Sequence, residues 1–349
     1  MVKRLSFLGL IALFFGMSSC ETEFSLNGDY ELTPVVFGLL DQQDSIHKIK
    51  ITKAFLGDGD NLVYATVADS SYFTQVDARI IEINASGDET GREWSLRDSV
   101  IENKSEDGLF YGPDQKIYYF EEKELDPAFT YQIVADIDEG AHSFSAETSL
   151  IDGFKVPNTI LVSSFKIRFA KNTVDEDKDY LTWSMEVSEG ENAAKYELAY
   201  TFHWTEYYLD GTSASFAEKK FEYGESDLNK PARISGLDFF KWIQLTIPDD
   251  PKIDHRTADG FDLHISVAHD NLTQYMNVAE PVTGIAQVQA VYTNVEGGYG
   301  LFSSRYVYTL SDLPLDESST KELARGTYTI SKGFCSNYPI HSDEEFYCD

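Results

Sequence analysis

His47-Lys48-Ile49-Lys50-Ile51-Thr52-Lys53 (residues 47–53) alternates polar and apolar side chains with a period of two. That period marks a half-buried β-strand. Just before it, Val35-Val36-Phe37-Gly38-Leu39-Leu40 is a β-like run, closed by the polar turn cluster Asp41-Gln42-Gln43-Asp44-Ser45. Downstream, Asp77 to Asn84, Ile117-Tyr118-Tyr119-Phe120, Thr130 to Ala135 and Ser143 to Thr148 repeat the pattern. Asp126-Pro127 supplies a turn into the strand that holds Tyr131. About seven short strands in roughly 115 residues predict an immunoglobulin-like β-sandwich over residues 34–152. The break at Asp152-Gly153 and Pro157-Asn158 is the expected domain boundary.

A second β-rich domain is expected over 153–315. Ile160 to Ala170, Tyr180 to Val187, Phe239 to Ile247 and Phe261 to Ala268 are β-patterned. Lys195 to Leu209 places Tyr196, Leu198, Tyr200, Phe202 and Trp204 on one face, with a break of phase near Tyr207 and Tyr208 that suggests a bulge. Ser213 to Tyr223 is the expected hairpin partner across Asp210-Gly211. Asn271 to Ala279, capped by Asp270, and Glu317 to Ala324, stopped by Gly326, are the expected helices. The fold class is thus mainly β, with one or two short helices in the second half and a C-terminal extension over 316–349.

The chain has 349 residues, 42% of them apolar and 25% charged, which is ordinary globular usage. Acidic residues number 59 against 28 Lys plus Arg, a formal charge of −31. No excess of cations exists to neutralise phosphates, so no nucleic-acid partner is expected. At the start, Lys3 and Arg4 precede the apolar run from Leu5 to Met17, then Ser18, Ser19 and Cys20. The order of charge, short apolar core and small residues reads as a signal peptide over 1–19. Cys20 stands where a bacterial lipobox places the lipidated residue, so residues 20–33 are expected to tether a lipid-anchored protein to a membrane. Several acyl chains on one Cys anchor firmly, at about 0.8 kcal/mol per buried methylene.

Cys335 and Cys348 remain for a disulfide, which in a loop of about 15 residues contributes about 3 kcal/mol. It would pin a tail containing Tyr338, Pro339, Phe346 and Tyr347. Asp175, Asp177, Asp179 and Glu186 match EF-hand offsets, but Tyr180 occupies the place where that loop needs Gly. Asp58-Gly59-Asp60-Asn61 reads equally as a calcium loop and as a turn. The seven His show no zinc spacing, and no nucleophile elbow occurs, so no metal site, cofactor or catalytic residue is assigned. The aromatic stripe Tyr200, Phe202, Trp204 fits a strand core better than a sugar platform. Asn84-Ala85-Ser86 and Asn103-Lys104-Ser105 match glycosylation acceptors.

Two stretches carry a family resemblance. One is Pro34 to Asp41 followed by Ile49 to Gly57. The other is Pro281-Val282 followed by Tyr292-Thr293-Asn294-Val295-Glu296-Gly297-Gly298-Tyr299-Gly300-Leu301-Phe302. Together they resemble the Bacteroidota lipoproteins grouped as the domain of unknown function family 4249, which carry a phrase of the type sNIegGlGiF. Val295 stands here for Ile and Tyr299 for Leu. The resemblance marks Asn294, Gly297, Gly298, Gly300 and Phe302 as the family-type loop. It implies work beside TonB-dependent outer-membrane receptors, on the periplasmic or cell-surface side. Physically the phrase reads as a tight turn that returns Leu301 and Phe302 to a core. The expected role is a non-enzymatic binding or accessory subunit for such a receptor, with a glycan or peptide as ligand. A surface glycan hydrolase using paired carboxylates and an adhesive protein are the alternatives.

Overall fold

Each period-two strand has one face that must be covered by another layer. A computed structural model shows how the chain covers them; it describes residues 32–54, 63, 67–102, 114–171, 180–221, 226–279 and 291–348. The leader, Cys20, Asp58 to Asn61, Asn103 to Ser105, Asp175, Asp177, Asp179 and Pro281-Val282 lie outside the described residues.

The N-terminal unit comprises β1 (Pro34–Asp41), β2 (Ile46–Lys53), β3 (Val76–Ile83), β4 (Glu89–Ser95), β5 (Arg97–Ile101), β6 (Gln115–Glu121), β7 (Thr130–Ile137) and β8 (His142–Ser149). One sheet runs β1-β2-β6-β5 and the other β8-β7-β3-β4. This is the immunoglobulin-like partition of strands. Val36, Ile49 and Ile51 of the first sheet meet Ile80, Ile133 and Phe144 of the second in one core. Tyr131, fully buried at the start of β7, accepts from Asp126 N at 2.8 Å and donates to Asp126 O at 3.1 Å. That is the tyrosine corner of such sandwiches, and it fixes the turn at Asp126-Pro127.

The second unit comprises β9 (Thr182–Glu186), β10 (Ala193–Tyr208), β11 (Ser213–Phe221), β12 (Ser226–Asp227), β13 (Pro231–Ser235), α1 (Gly236–Thr246), β14 (Ile253–His269), α2 (Asp270–Ala279), β15 (Val295–Glu296), β16 (Tyr299–Leu313) and α3 (Glu317–Arg325). Tyr196, Leu198, Tyr200, Phe202 and Trp204 are all buried on one face of β10, and the register shifts between Tyr207 and Tyr208, as the pattern predicts. The aromatic stripe is core. Phe202 stacks on Trp204 at 5.7 Å and lies 5.2 Å from Phe261.

Two expected strands are not strands. Phe239 to Ile247 falls in α1 and its C-cap. Ser235 caps that helix by accepting from Asp238 N at 3.2 Å, and Phe239, Phe240 and Ile243 bury a helical stripe. Ile160 to Ala170 is irregular: the Phe169 and Ala170 amides donate to Ser319 Oγ of α3 instead of to a ladder.

The two units also divide the chain differently from the expected boundaries. The first half of β16 runs parallel to β1, from Val35↔Tyr299 to Asp41↔Arg305, while its second half pairs with β14. β15 pairs with β8. Residues 295–305 therefore complete the N-terminal sandwich, where Phe302 is fully buried. The pairing covers the edge of β1 and fuses both units into one sheet of order β11-β10-β14-β16-β1-β2-β6-β5.

Candidate functional site

The family-type phrase forms the joint of this sheet. Val295-Glu296 ends in a turn at Gly297-Gly298, and Tyr299 opens β16. Gly297 has φ +75°, and a Cβ there would lie 2.4 Å from Ser143 O. Gly300 has φ +116°, and its Cβ would lie 1.9 Å from Val36 O. Gly298 packs against Pro34 O. The Asn294 side chain then acts as a strand partner: its Nδ2 donates to Phe302 O at 2.7 Å and Glu147 O at 3.2 Å, and its Oδ1 accepts from Phe302 N at 3.0 Å. The three Gly let the backbones approach, and the Asn294 side chain ties the turn to Phe302 and to β8.

The Cys335 and Cys348 pair and Asn84 also have structural partners. Cys335 and Cys348 form a disulfide. Its tail docks on β14 through Arg256 N to Gly333 O at 2.8 Å and Cys335 N to Arg256 O at 2.9 Å. The Arg256 guanidinium beneath is buried and bonds Glu206 Oε1 at 2.8 Å, Pro248 O at 3.0 Å and Lys332 O. Asn84 caps its own turn by accepting from Ser86 N and Asp88 N. Among the described residues no group of three His, Cys, Asp or Glu converges on a metal-sized site.

A groove on the outer face of the fused sheet offers room for a ligand. The run Val35 to Leu40 is apolar on both faces; of its outward side chains, Phe37 meets α2 and Leu39 lines the groove beside it. α2 starts where β14 ends and folds back over the sheet. His269, buried at that corner, accepts from Asn271 N at 3.0 Å through Nδ1. Burial holds its pKa below the ordinary value, against the opposing pull of Asp270. Tyr292 donates to Asn271 Oδ1 at 2.9 Å, and Tyr275 meets Phe37 edge-on at 5.8 Å.

Two adjoining cavities, of about 690 and 560 Å³, flank this helix and share Leu39, Asp44, Leu272, Met276 and Arg305. Both volumes fall in the range of small-molecule or peptide-side-chain sites. The floor is apolar and the rim is charged. Arg305 pairs with the buried Asp41 at 3.4 Å; burial pushes the Asp41 carboxyl up, while a hydrogen bond from Gln43 N opposes it. Lys48 stands at one end, and Lys195, Lys219 and His264 at the other. Burial, then the Lys219 charge, keeps His264 below its ordinary pKa. His264 is held between Thr201 at 2.9 Å and Thr309 at 3.1 Å. Sequence inspection missed the groove because its walls come from segments more than 200 residues apart. The signal available was the unbroken apolar run of β1, which calls for cover on both faces. No protein-family model matches the chain, and no curated protein matches it in sequence.

Proposed function

We propose that the chain is a lipid-anchored protein of the cell envelope that serves as a non-enzymatic binding or accessory subunit beside an outer-membrane receptor of the TonB-dependent type. The groove beside α2 carries this reading. Its apolar floor opens to solvent at Phe37, Ile46 and Met276, which are 38, 46 and 40% exposed. Exposed apolar side chains rimmed by charge mark interaction sites. The Cys20 leader and the resemblance of Asn294 to Phe302 to family 4249 lipoproteins support the anchor and the setting. A tether raises local concentration near a partner, so modest intrinsic affinity suffices.

Two experiments test the proposal. Cys20→Ala is expected to release the protein from membranes; sedimentation of the variant with membranes after a high-salt wash overturns the anchor. Affinity capture of the tagged, lipidated protein from detergent-solubilised native membranes is expected to recover one outer-membrane receptor stoichiometrically. The Met276→Glu variant, which puts a charge on the groove floor, is expected to lose it. Equal recovery by both proteins removes the groove from the interaction.

A further inference from the structure

We propose that His47 is a pH-sensitive latch: its neutral ring holds the turn over residues 41–45 and the start of β2 against the sandwich, and protonation releases that wall of the groove. This goes beyond the receptor reading, and the latch stands whatever the groove binds. Period two places His47 in phase with Ile49 and Ile51, pointing into the core. The residue is 1% exposed, and its ring stacks at 4.7 Å on Phe120, its cross-strand partner on β6. Nε2 lies 2.9 Å from Glu122 O. A carbonyl only accepts, so Nε2 carries the proton and Nδ1 keeps a lone pair. Nδ1 is buried and has no hydrogen-bond partner among the described residues. A second proton would therefore put an N–H without an acceptor, and a charge, into a packed core.

The charges around the ring are already engaged or remain at the surface. Asp41 is held by Arg305 at 3.4 Å and by Gln43 N at 3.1 Å. Glu122 is held by Arg92 of β4 at 3.1 Å, by Trp94 Nε1 at 3.2 Å and by the Lys123 and Glu124 amides. Arg92 also bonds the buried Glu82 of β3, which Tyr131 of β7 reaches at 3.4 Å. Asp44 is exposed on the turn. Burial lowers the His47 pKa; the Glu122 carbonyl and the charges of Asp44, Asp41 and Glu122 oppose this without reversing it. The opened state binds the proton at the ordinary value of about 6.5, so the latch is complete above that pH and is lost as pH falls below it.

Release is confined by the ladder. Among the described strands, β1 pairs with β2 only from Ile49 onward, and Ile46 to Lys48 are paired with β6 alone. A cationic ring that leaves Phe120 for water frees these residues and the turn before them, while Ile49 and Ile51 stay clamped. Asp44, Ser45, Ile46 and Lys48 line the cavity of about 690 Å³, so one end of the groove moves with the latch.

The test uses the full mature chain, residues 20–349, without ligand. Side-chain NMR is expected to show the His47 ring as the Nε2–H tautomer, titrating below 6.5. Exchange of the amides of residues 43–48, corrected for intrinsic rate, should accelerate by up to about tenfold from pH 7.5 to 5.5 relative to β7; that ceiling is set by protonating an ordinary imidazole one pH unit below its pKa. His47→Gln keeps a donor for Glu122 O without the titration and should flatten the dependence. His47→Phe keeps the ring stack and should do the same, which covers the case of a Gln variant that does not fold. Titration of His47 at or above 6.5, amides of 43–48 indifferent to pH, or an equal acceleration in the folded variant overturns the latch. Failure to capture a receptor removes the receptor reading and leaves these outcomes unchanged.

Discussion

Gly300 has φ +116° and no room for a side chain, because β1 and β16 approach each other there at Val36 O. Gly300→Ala is expected to destabilise the protein by about 3 kcal/mol or more, since strain and overpacking act together. Gly87 is the internal control. It also has a positive φ, +85°, but a Cβ there meets nothing within 4 Å. Gly87→Ala should cost about 1 kcal/mol. Urea denaturation of the two variants decides the matter, and equal losses would show that close approach contributes nothing. Two residues outside the turn, Asn294 and Phe302, close the clamp. Asn294→Ala removes three hydrogen bonds and leaves the Phe302 amide without its side-chain acceptor. At about 1 kcal/mol for each net bond, a loss of about 2–3 kcal/mol is expected in the same assay. The turn was legible in the Gly spacing. The clamp was not, because Asn294 bonds a residue eight positions on and another 147 positions back, and no local pattern encodes either.

At the level of elements, the sequence was most legible where one period ruled. β10 shows its buried face in every second residue, and α2 and α3 begin and end close to their capping signals. α1 was misread because Phe239, Phe240, Trp242 and Ile243 favour strands by composition. Its helical signal was Ser235 three residues before Asp238, followed by apolar side chains at 239, 240, 243 and 247. The polar edge strands β4 and β5 escaped notice for the opposite reason: exposed on nearly every residue, they carry no alternation. α2 makes the pH prediction of this scale. His269 Nδ1 accepts from Asn271 N at the start of the helix, a role open only to the neutral ring. Burial lowers the folded-state pKa below the ordinary 6.5, so the proton binds the opened state more readily. The cap's contribution is therefore complete above about pH 6.5 and is lost as pH falls below it. Asp270 opposes the shift without reversing it. Hydrogen exchange of the α2 amides, corrected for intrinsic rate, is expected to accelerate between pH 7 and 5 relative to β10. His269→Asn, which keeps an acceptor without the titration, should flatten that dependence; an unchanged pH profile in the variant would assign the loosening elsewhere.

For the whole molecule, the fused sheet means that the N-terminal sandwich is not a self-sufficient segment of the chain. Cutting after residue 152 removes β15 and β16, uncovers the β1 edge, and empties the core site of Phe302, which is 0% exposed. Burial of a Phe side chain alone is worth about 1.5–3 kcal/mol, and the Asn294 clamp and the parallel ladder are lost with it. Against a typical total of about 5–15 kcal/mol this is a large fraction of the stability of one sandwich. Residues 32–152 alone are therefore expected to lack a cooperative thermal transition and a dispersed amide spectrum. Val295 pairs with Ala146 in antiparallel register, so β15 lies within a short loop of the end of β8. Joining residue 152 to residue 292 through about six Gly/Ser residues, and ending the chain at residue 305, should restore both signals without the second unit. Gly300→Ala placed in the joined protein should abolish them again, which ties the rescue to the β1–β16 pairing rather than to added length. A cooperative transition in residues 32–152 alone would mean that β1 tolerates an open edge, and that β16 serves only to hold the second unit and its groove in place.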